Sequence, residues 1–265
     1  MAQVPRQHDL DAFVSERFFC HFGHTDPAKL KAALEEYEAL RAFRVNENVY
    51  ESGQTISEEA HYVMRLHAMF YMREVLGALR IDQNDPNIME ETECGNLGTA
   101  GRIAKMYTGA HPEDDRELMS GRWNREPRMA TFPNTARTHE PVFITSQLDA
   151  VCSHHFIRFG QDQADEGSVV VVGYIPREKL GGISKINRFV NWCARRGWLQ
   201  EDLTRYIGEK ILETFETDSV YVGLFNLKHG CTSYRGACDL NAATSTIFVT
   251  GDFEKDRSLI PMKFR

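Results

Sequence analysis

The sequence predicts an α+β protein: a helical first part, then an antiparallel sheet carrying two helices on one face. Three observations predict it. Apolar residues recur at helical spacing through the first third, β-branched runs begin near residue 141, and two amphipathic helices are flanked on each side by two strand candidates. At 265 residues the chain is long enough to bury a substantial core.

In order along the chain, Leu30, Leu34, Tyr37 and Leu40 repeat as a helix does, and Thr55-Ile-Ser-Glu58 reads as a capping box opening a helix through Val63, Leu66 and Phe70 towards Leu79. Residues 82–87, with Asn84, Asp85 and Pro86, predict a turn. A shorter helix follows over 97–107, with Ile103, Met106 and Tyr107 on one side. Residues 111–139 are rich in Pro and Arg without periodicity and predict a long loop. From Pro141 the texture changes: 142–151 and 169–175 read as strands, the second through Val-Val-Val-Val until Pro176 stops it. Between them, residues 161–167 form a polar, acidic turn region. Ile186, Phe189, Val190 and Cys193 define one amphipathic helix, and Leu203, Ile207, Ile211 and Phe215 a second. Residues 219–227 and 244–250 are further strands, so the order is β-β-α-α-β-β.

Charge narrows the partners. A formal net charge of −7 argues against a surface for nucleic acid polymers, so an anionic ligand would need a local cationic pocket. No apolar run reaches the ~20 residues of a membrane span. The opening Met1-Ala-Gln-Val-Pro-Arg6 lacks the pattern of a secretory signal, and six cysteines are too few for a disulfide scaffold, so a cytoplasmic chain with reduced thiols is expected.

Two of those cysteines stand beside histidines at predicted strand ends. Cys152-Ser-His-His155 offers a thiolate and an imidazole at zinc-ligand spacing, and Lys228-His-Gly-Cys231 offers a third ligand. The plain alternative is a buried Cys beside surface His residues; what weighs against it is that Cys and His coincide twice. Three protein ligands would leave a position for water with a lowered pKa. His154 and His229 are then candidates for proton transfer, or for second-layer support of the ligands. Gly181-Gly-Ile-Ser-Lys-Ile-Asn-Arg188 opens the first central helix with Ser184 as expected N-cap, and Lys185 and Arg188 on one face suit a phosphate chain. Such cations are more often simply solvated. Arg235 adds a cation near Cys231, and Arg102 and Lys105 form another pair three apart. Gln200 and Glu201 begin the second central helix, where a carboxylate suits the helix dipole and could also pair with a guanine edge.

Taken together, Arg102-Ile-Ala-Lys-Met-Tyr107, Cys152-Ser-His-His155, Gly173-Tyr-Ile-Pro176, Gly182-Ile-Ser-Lys-Ile-Asn-Arg188, Gln200-Glu-Asp-Leu-Thr204 and His229-Gly-Cys-Thr-Ser-Tyr-Arg-Gly236 resemble the GTP cyclohydrolase I family over residues 96–253. The resemblance implies a tunnelling fold and a division into a helical region at 1–95 and a catalytic domain at 96–265. It implies zinc at Cys152, His155 and Cys231, and proton transfer by His154 and His229. It further implies guanine recognition by Glu201 with Gln200, and a triphosphate held by Ser184, Lys185, Arg188, Arg235 and Arg102, with Lys105 a further candidate. The reaction would open the imidazole ring of GTP at C8, release formate and give 7,8-dihydroneopterin triphosphate, within folate, biopterin or deazaguanine synthesis. Subunits would form a homo-oligomer, commonly a decamer of stacked pentameric rings. The chain departs from the family at Ser153, where Glu is common, at the longer 160–167 loop and over 111–139. Two alternatives use the same residues: an enzyme of the same fold that stops at a ring-opened formylated product, and a non-catalytic zinc-stabilised ring that binds a purine.

Overall fold

Among the described residues, four α-helices fall in the first of two compact units, Met1–Asn124 and Arg125–Arg265. The computed structural model describes residues 7–89, 91–92, 94–96, 98–109, 117–160 and 169–265; the opening six residues, 111–116 of the expected long loop and the turn region 161–167 lie outside them. The expected division at 95/96 and the unit boundary at 124/125 differ by the helix over 98–108 and the segment after it.

In the first unit, α1 (Gln7–Phe22), α2 (Pro27–Ala39) and α3 (Glu58–Ala78) precede a short hairpin of β1 (Glu91–Thr92) and β2 (Gly95–Asn96) and then α4 (Gly98–Thr108). Leu10, Phe13, Val14 and Phe18 of α1 meet Val63, Leu66 and Phe70 of α3 in one core. The α3 cap differs from the expected box: Ser57, not Thr55, is the N-cap, its side chain accepting from the Ala60 N–H. Glu36 of α2 takes the carboxylate's part, accepting from the Ser57 N–H at 2.6 Å and hydroxyl at 2.5 Å. On α4 the buried line is Ala100, Ala104 and Thr108, with Ile103, Met106 and Tyr107 only half-buried beside it. Small residues at that spacing let the helix approach its neighbour closely. The expectation of reduced, packing cysteines is corrected here, because Cys20 of α1 and Cys94 of the β1–β2 turn form a disulfide with a Cα–Cα distance of 5.4 Å. Cys193 is buried as expected, whereas Cys238 is exposed.

The second unit opens with β3 (Thr131–Pro133), inside the stretch expected to be loop. It becomes a strand because it pairs with β8 (Lys179–Gly181), a partner 48 residues away in register Thr131↔Gly181 to Pro133↔Lys179. The main sheet uses β4 (Val142–Ser146), β5 (Asp149–Val151), β6 (Arg158–Gly160), β7 (Val169–Tyr174), β9 (Val220–His229) and β10 (Ala243–Val249), with every pairing antiparallel. β4 and β5 are the expected first strand, interrupted at Gln147 and Leu148. They pair with β7 and β6 respectively, β7 and β6 pair with β9, and β9 with β10. The result is a four-position meander with α5 (Ile183–Ala194) and α6 (Gln200–Phe215) inserted between its second and third positions.

Alternation along the strands assigns the faces. Val170, Val172 and Tyr174 join Val220, Val222 and Leu224 in the core that also holds Ile186, Phe189 and Val190 of α5 and Leu203, Ile207 and Ile211 of α6. Val171 and Tyr221 point to the other face, into a second core with Ile260, Phe264 and Phe253, the last carried by the short helix over Asp252–Lys255. The C-terminal segment thus covers the face the helices leave open, which explains why the Val run of β7 is continuous rather than alternating. Ser184 is corrected from N-cap to the second residue of α5: the cap is Gly182, without a side-chain bond. Among the described residues no helix is long and apolar enough to cross a membrane.

Candidate active site

The chemistry-bearing residues gather where β5, β9 and the start of α6 meet. β5 ends at Val151, and the chain turns through Cys152, whose N–H donates to the Ile157 carbonyl while its carbonyl accepts from the Phe156 N–H, both at 2.9 Å. Phe156 closes this loop with φ of 53°, in the left-handed region. A parallel bridge ties Cys152 to Trp198, with the Ser153 N–H donating to the Trp198 carbonyl at 3.1 Å. Trp198 stands two residues before Gln200, so the same bridge fixes the first turn of α6 beside Cys152. From the other side, His229 ends β9 opposite Phe159 of β6, and Cys231 follows in the short turn α7 (Gly230–Ser233). Gly230 permits this junction, since any Cβ there would collide with Ile157 and crowd the Arg158 carbonyl.

Cys152, His229 and Cys231 each offer a ligand atom, all within 4.8 Å of one another. Two sulfurs and one nitrogen at that separation match the donor set and size of a tetrahedral zinc site with one open position. Cys152 is buried, and the other two are half-buried. Burial, then the neighbouring Cys152, push the Cys231 thiol up, while Arg235 pulls it down. A bound divalent cation would reverse that balance and hold both cysteines as thiolates. Burial lowers the His229 imidazole below its ordinary value, partly offset by Glu201, so the ring favours its neutral form. Its face stacks on Phe159 with centroids 4.5 Å apart and an interplanar angle of 4°. Its Nε2 lies 2.8 Å from Gln200 Oε1.

The other expected residues fall into two groups. His154 and His155 are exposed on the Cys152 loop, rings perpendicular with centroids 6.2 Å apart, and the three-residue cluster contains His229 rather than His155. Ser184 and Arg188 are exposed and Lys185 half-buried at the start of α5; Glu201 is exposed on the first turn of α6 and Arg235 follows α7. Arg102 and Lys105 are exposed on α4 in the first unit, where Arg102 donates to Thr99 Oγ1 at 3.0 Å. One contributor escaped the sequence reading: Phe159 stacks on His229 from a three-residue strand too short to show alternation. Gln200, expected beside Glu201, is buried as a partner of His229.

An antiparallel α+β domain that presents two cysteines and a histidine at converging strand ends, beside a carboxylate and cations, defines a candidate metal-dependent hydrolase acting on an anionic substrate. The comparisons narrow this class. The family model described as GTP cyclohydrolase I matches residues 77–264. A GTP cyclohydrolase 1 of Vibrio campbellii (strain ATCC BAA-1116) is 31% identical over 237 residues, 88% of this chain and 94% of the relative. That of Photobacterium profundum is 32% identical over 84% of this chain and 93% of its own. That of Blochmanniella pennsylvanica (strain BPEN) is 29% identical over 74% and 79%. The chain belongs to the GTP cyclohydrolase I family. The meander with two helices between its second and third positions is the tunnelling fold expected of that family.

Proposed function

We infer that the chain converts GTP to 7,8-dihydroneopterin triphosphate with release of formate, the reaction that its family membership carries. The observation that most supports catalysis is the convergence of Cys152, Cys231 and His229 on one point beside Gln200 and Glu201. Zinc, when bound, supplies Lewis-acid activation of water at C8 of the purine. Cys152 and Cys231 would hold it, with His155 as the third ligand. His155 sits three residues from Cys152 on a loop closed by the Phe156 N–H, while one nitrogen of His229 is already engaged by Gln200.

His229 and His154 then move protons to and from the opening ring, the first as a neutral imidazole poised to accept one. Glu201 accepts paired hydrogen bonds from the guanine edge, orienting C8. Ser184, Lys185, Arg188 and Arg235 bind the triphosphate, joined by Arg102 and, less centrally, Lys105, in a catalytic domain that runs over residues 96–265. The chain works as a homo-oligomer, a decamer of two pentameric rings. In support, β4 and β10 are the outer edges of the sheet and are available to pair across subunits.

The decisive assay is GTP turnover with and without chelator, following formate and pterin fluorescence together. Both products appear with metal and vanish without it. Product that retains the formyl carbon overturns full turnover in favour of early termination, and GTP binding without either product overturns catalysis altogether. Metal content separates the histidines: His155→Ala loses zinc, whereas His229→Ala keeps it and loses turnover. The opposite pattern would make His229 the third ligand.

A further inference from the structure

We propose that Gln200 is a positioning residue that fixes the His229 ring with its proton on Nε2 and its lone pair on Nδ1, rather than a contact to guanine. The inference rests on the assignment of His229 to proton transfer and adds the device that sets which nitrogen can act.

A bulge in the sheet carries the argument. Between Leu224 and Leu227 β9 holds two residues where β10 holds only Ser245 between Thr244 and Thr246. Asn226 accommodates the extra residue at φ of 51°, and its N–H turns to the Ser245 hydroxyl at 3.0 Å. Gln200, only 2% exposed, is aimed into this gap from the first turn of α6. Its Nε2 lies 3.1 Å from the Thr244 carbonyl, 3.1 Å from Thr246 Oγ1 and 3.4 Å from the Leu224 carbonyl. Two of these three are carbonyl oxygens that can only accept, so the amide cannot be reversed: an oxygen placed there would face two acceptors in a buried site.

The consequence passes to the imidazole. With Nε2 of Gln200 committed to the bulge, Oε1 is left facing His229 Nε2 at 2.8 Å, and an amide oxygen can only accept. The His229 Nε2 must therefore donate, which leaves the Nδ1 lone pair as the ring's basic position. Phe159, stacked parallel on the ring, prevents it from turning over to exchange the two nitrogens. Thr204 holds the near end of the device, its hydroxyl 2.7 Å from both the Gln200 carbonyl and Thr246 Oγ1. With its donors committed to the bulge and the residue only 2% exposed, Gln200 has no N–H left to offer a guanine base.

The test uses protein carrying ring-15N histidine, comparing wild type with Gln200→Leu and Gln200→Glu in the metal-loaded state. Wild type shows the His229 signal of an Nε2-protonated ring, and Gln200→Leu shows a mixture of tautomers. In turnover, Gln200→Leu lowers kcat about 10–100-fold, the usual range for loss of an outer-shell partner, with KM for GTP within about threefold and zinc content unchanged. In Gln200→Glu a carboxylate oxygen in the place of Oε1 can still only accept, so the His229 ring keeps its proton on Nε2, and a mixture of tautomers in that variant also overturns the proposal. An Nδ1-protonated ring in the wild type, an unchanged tautomer in Gln200→Leu, or a loss confined to KM each overturns the proposal. His229→Ala distinguishes the underlying reading: retained turnover in that variant defeats the role of His229 itself, while its loss with a tautomer insensitive to Gln200 defeats only the positioning role.

Discussion

A single carboxylate, Glu201, is asked to do two things at the start of α6: it complements the helix N-terminus and, in our reading, it selects guanine. The first role survives exposure to solvent and contributes little; the second requires the charge. Glu201→Gln therefore raises KM for GTP about 10–100-fold, as expected for loss of charge-assisted hydrogen bonds worth about 1.5–3 kcal/mol, with little change in stability. Unchanged affinity would remove guanine recognition from Glu201. Tyr221 illustrates a titrating side chain outside the site. Its hydroxyl donates to the Phe264 carbonyl, and burial raises the phenol from 10.0 to about 12. The folded phenol holds its proton more tightly than the unfolded one, so its contribution is complete below pH ~10 and is lost as pH climbs from there to about 12. Unfolding in denaturant across that window should show a falling stability that Tyr221→Phe flattens; identical slopes would contradict it.

At the scale of elements, the junction of β9 with α7 brings the second cysteine to the first. Gly230 lies against Ile157 and the Arg158 carbonyl on the strand that follows the Cys152 loop. Gly230→Ala forces these segments apart, and the expected outcome is weaker zinc retention by at least tenfold on dialysis against chelator, of the size that follows loss of supporting contacts, with helix content by circular dichroism unchanged. Full zinc retention would show that the junction tolerates the displacement. The elements most legible in the sequence were those whose period extends over several turns: α2, α3, α5, α6 and the Val run of β7. β3 and β6 were invisible because three residues carry no period, and each exists only through a distant partner, β8 for one and β5 and β9 for the other. The caps of α3 and α5 were each misplaced by two residues, because Glu36 from another helix replaced a local carboxylate and Gly182 capped α5 without a side chain.

Across the whole molecule, the first unit is fastened by the Cys20–Cys94 disulfide, which joins residues 74 apart and ties α1 to the hairpin leading into α4. Closing a loop of that length stabilises by about 2–4 kcal/mol. Thermal unfolding of protein prepared without reductant should therefore shift down by several degrees on reduction, a shift that Cys20→Ser abolishes. Equal melting temperatures with and without reductant would show that the bridge contributes nothing. The second unit relies instead on its two apolar layers, the helix pair on one face of the sheet and the C-terminal Phe253, Ile260 and Phe264 on the other.

By itself the sequence determined the α+β class, the β-β-α-α-β-β order, the strand ends carrying Cys and His, and the family those motifs resemble. These are local properties: periodicity, β-branching and motif spacing are written within a few residues. Tertiary structure alone decided the rest. It gathered Cys152, Cys231 and His229, paired Cys20 with Cys94 and turned Gln200 inward to a bulge 44 residues further on, where a buried amide must find acceptors. Those outcomes depend on which distant backbone groups need partners after the sheet has closed, and no short window of sequence records that need.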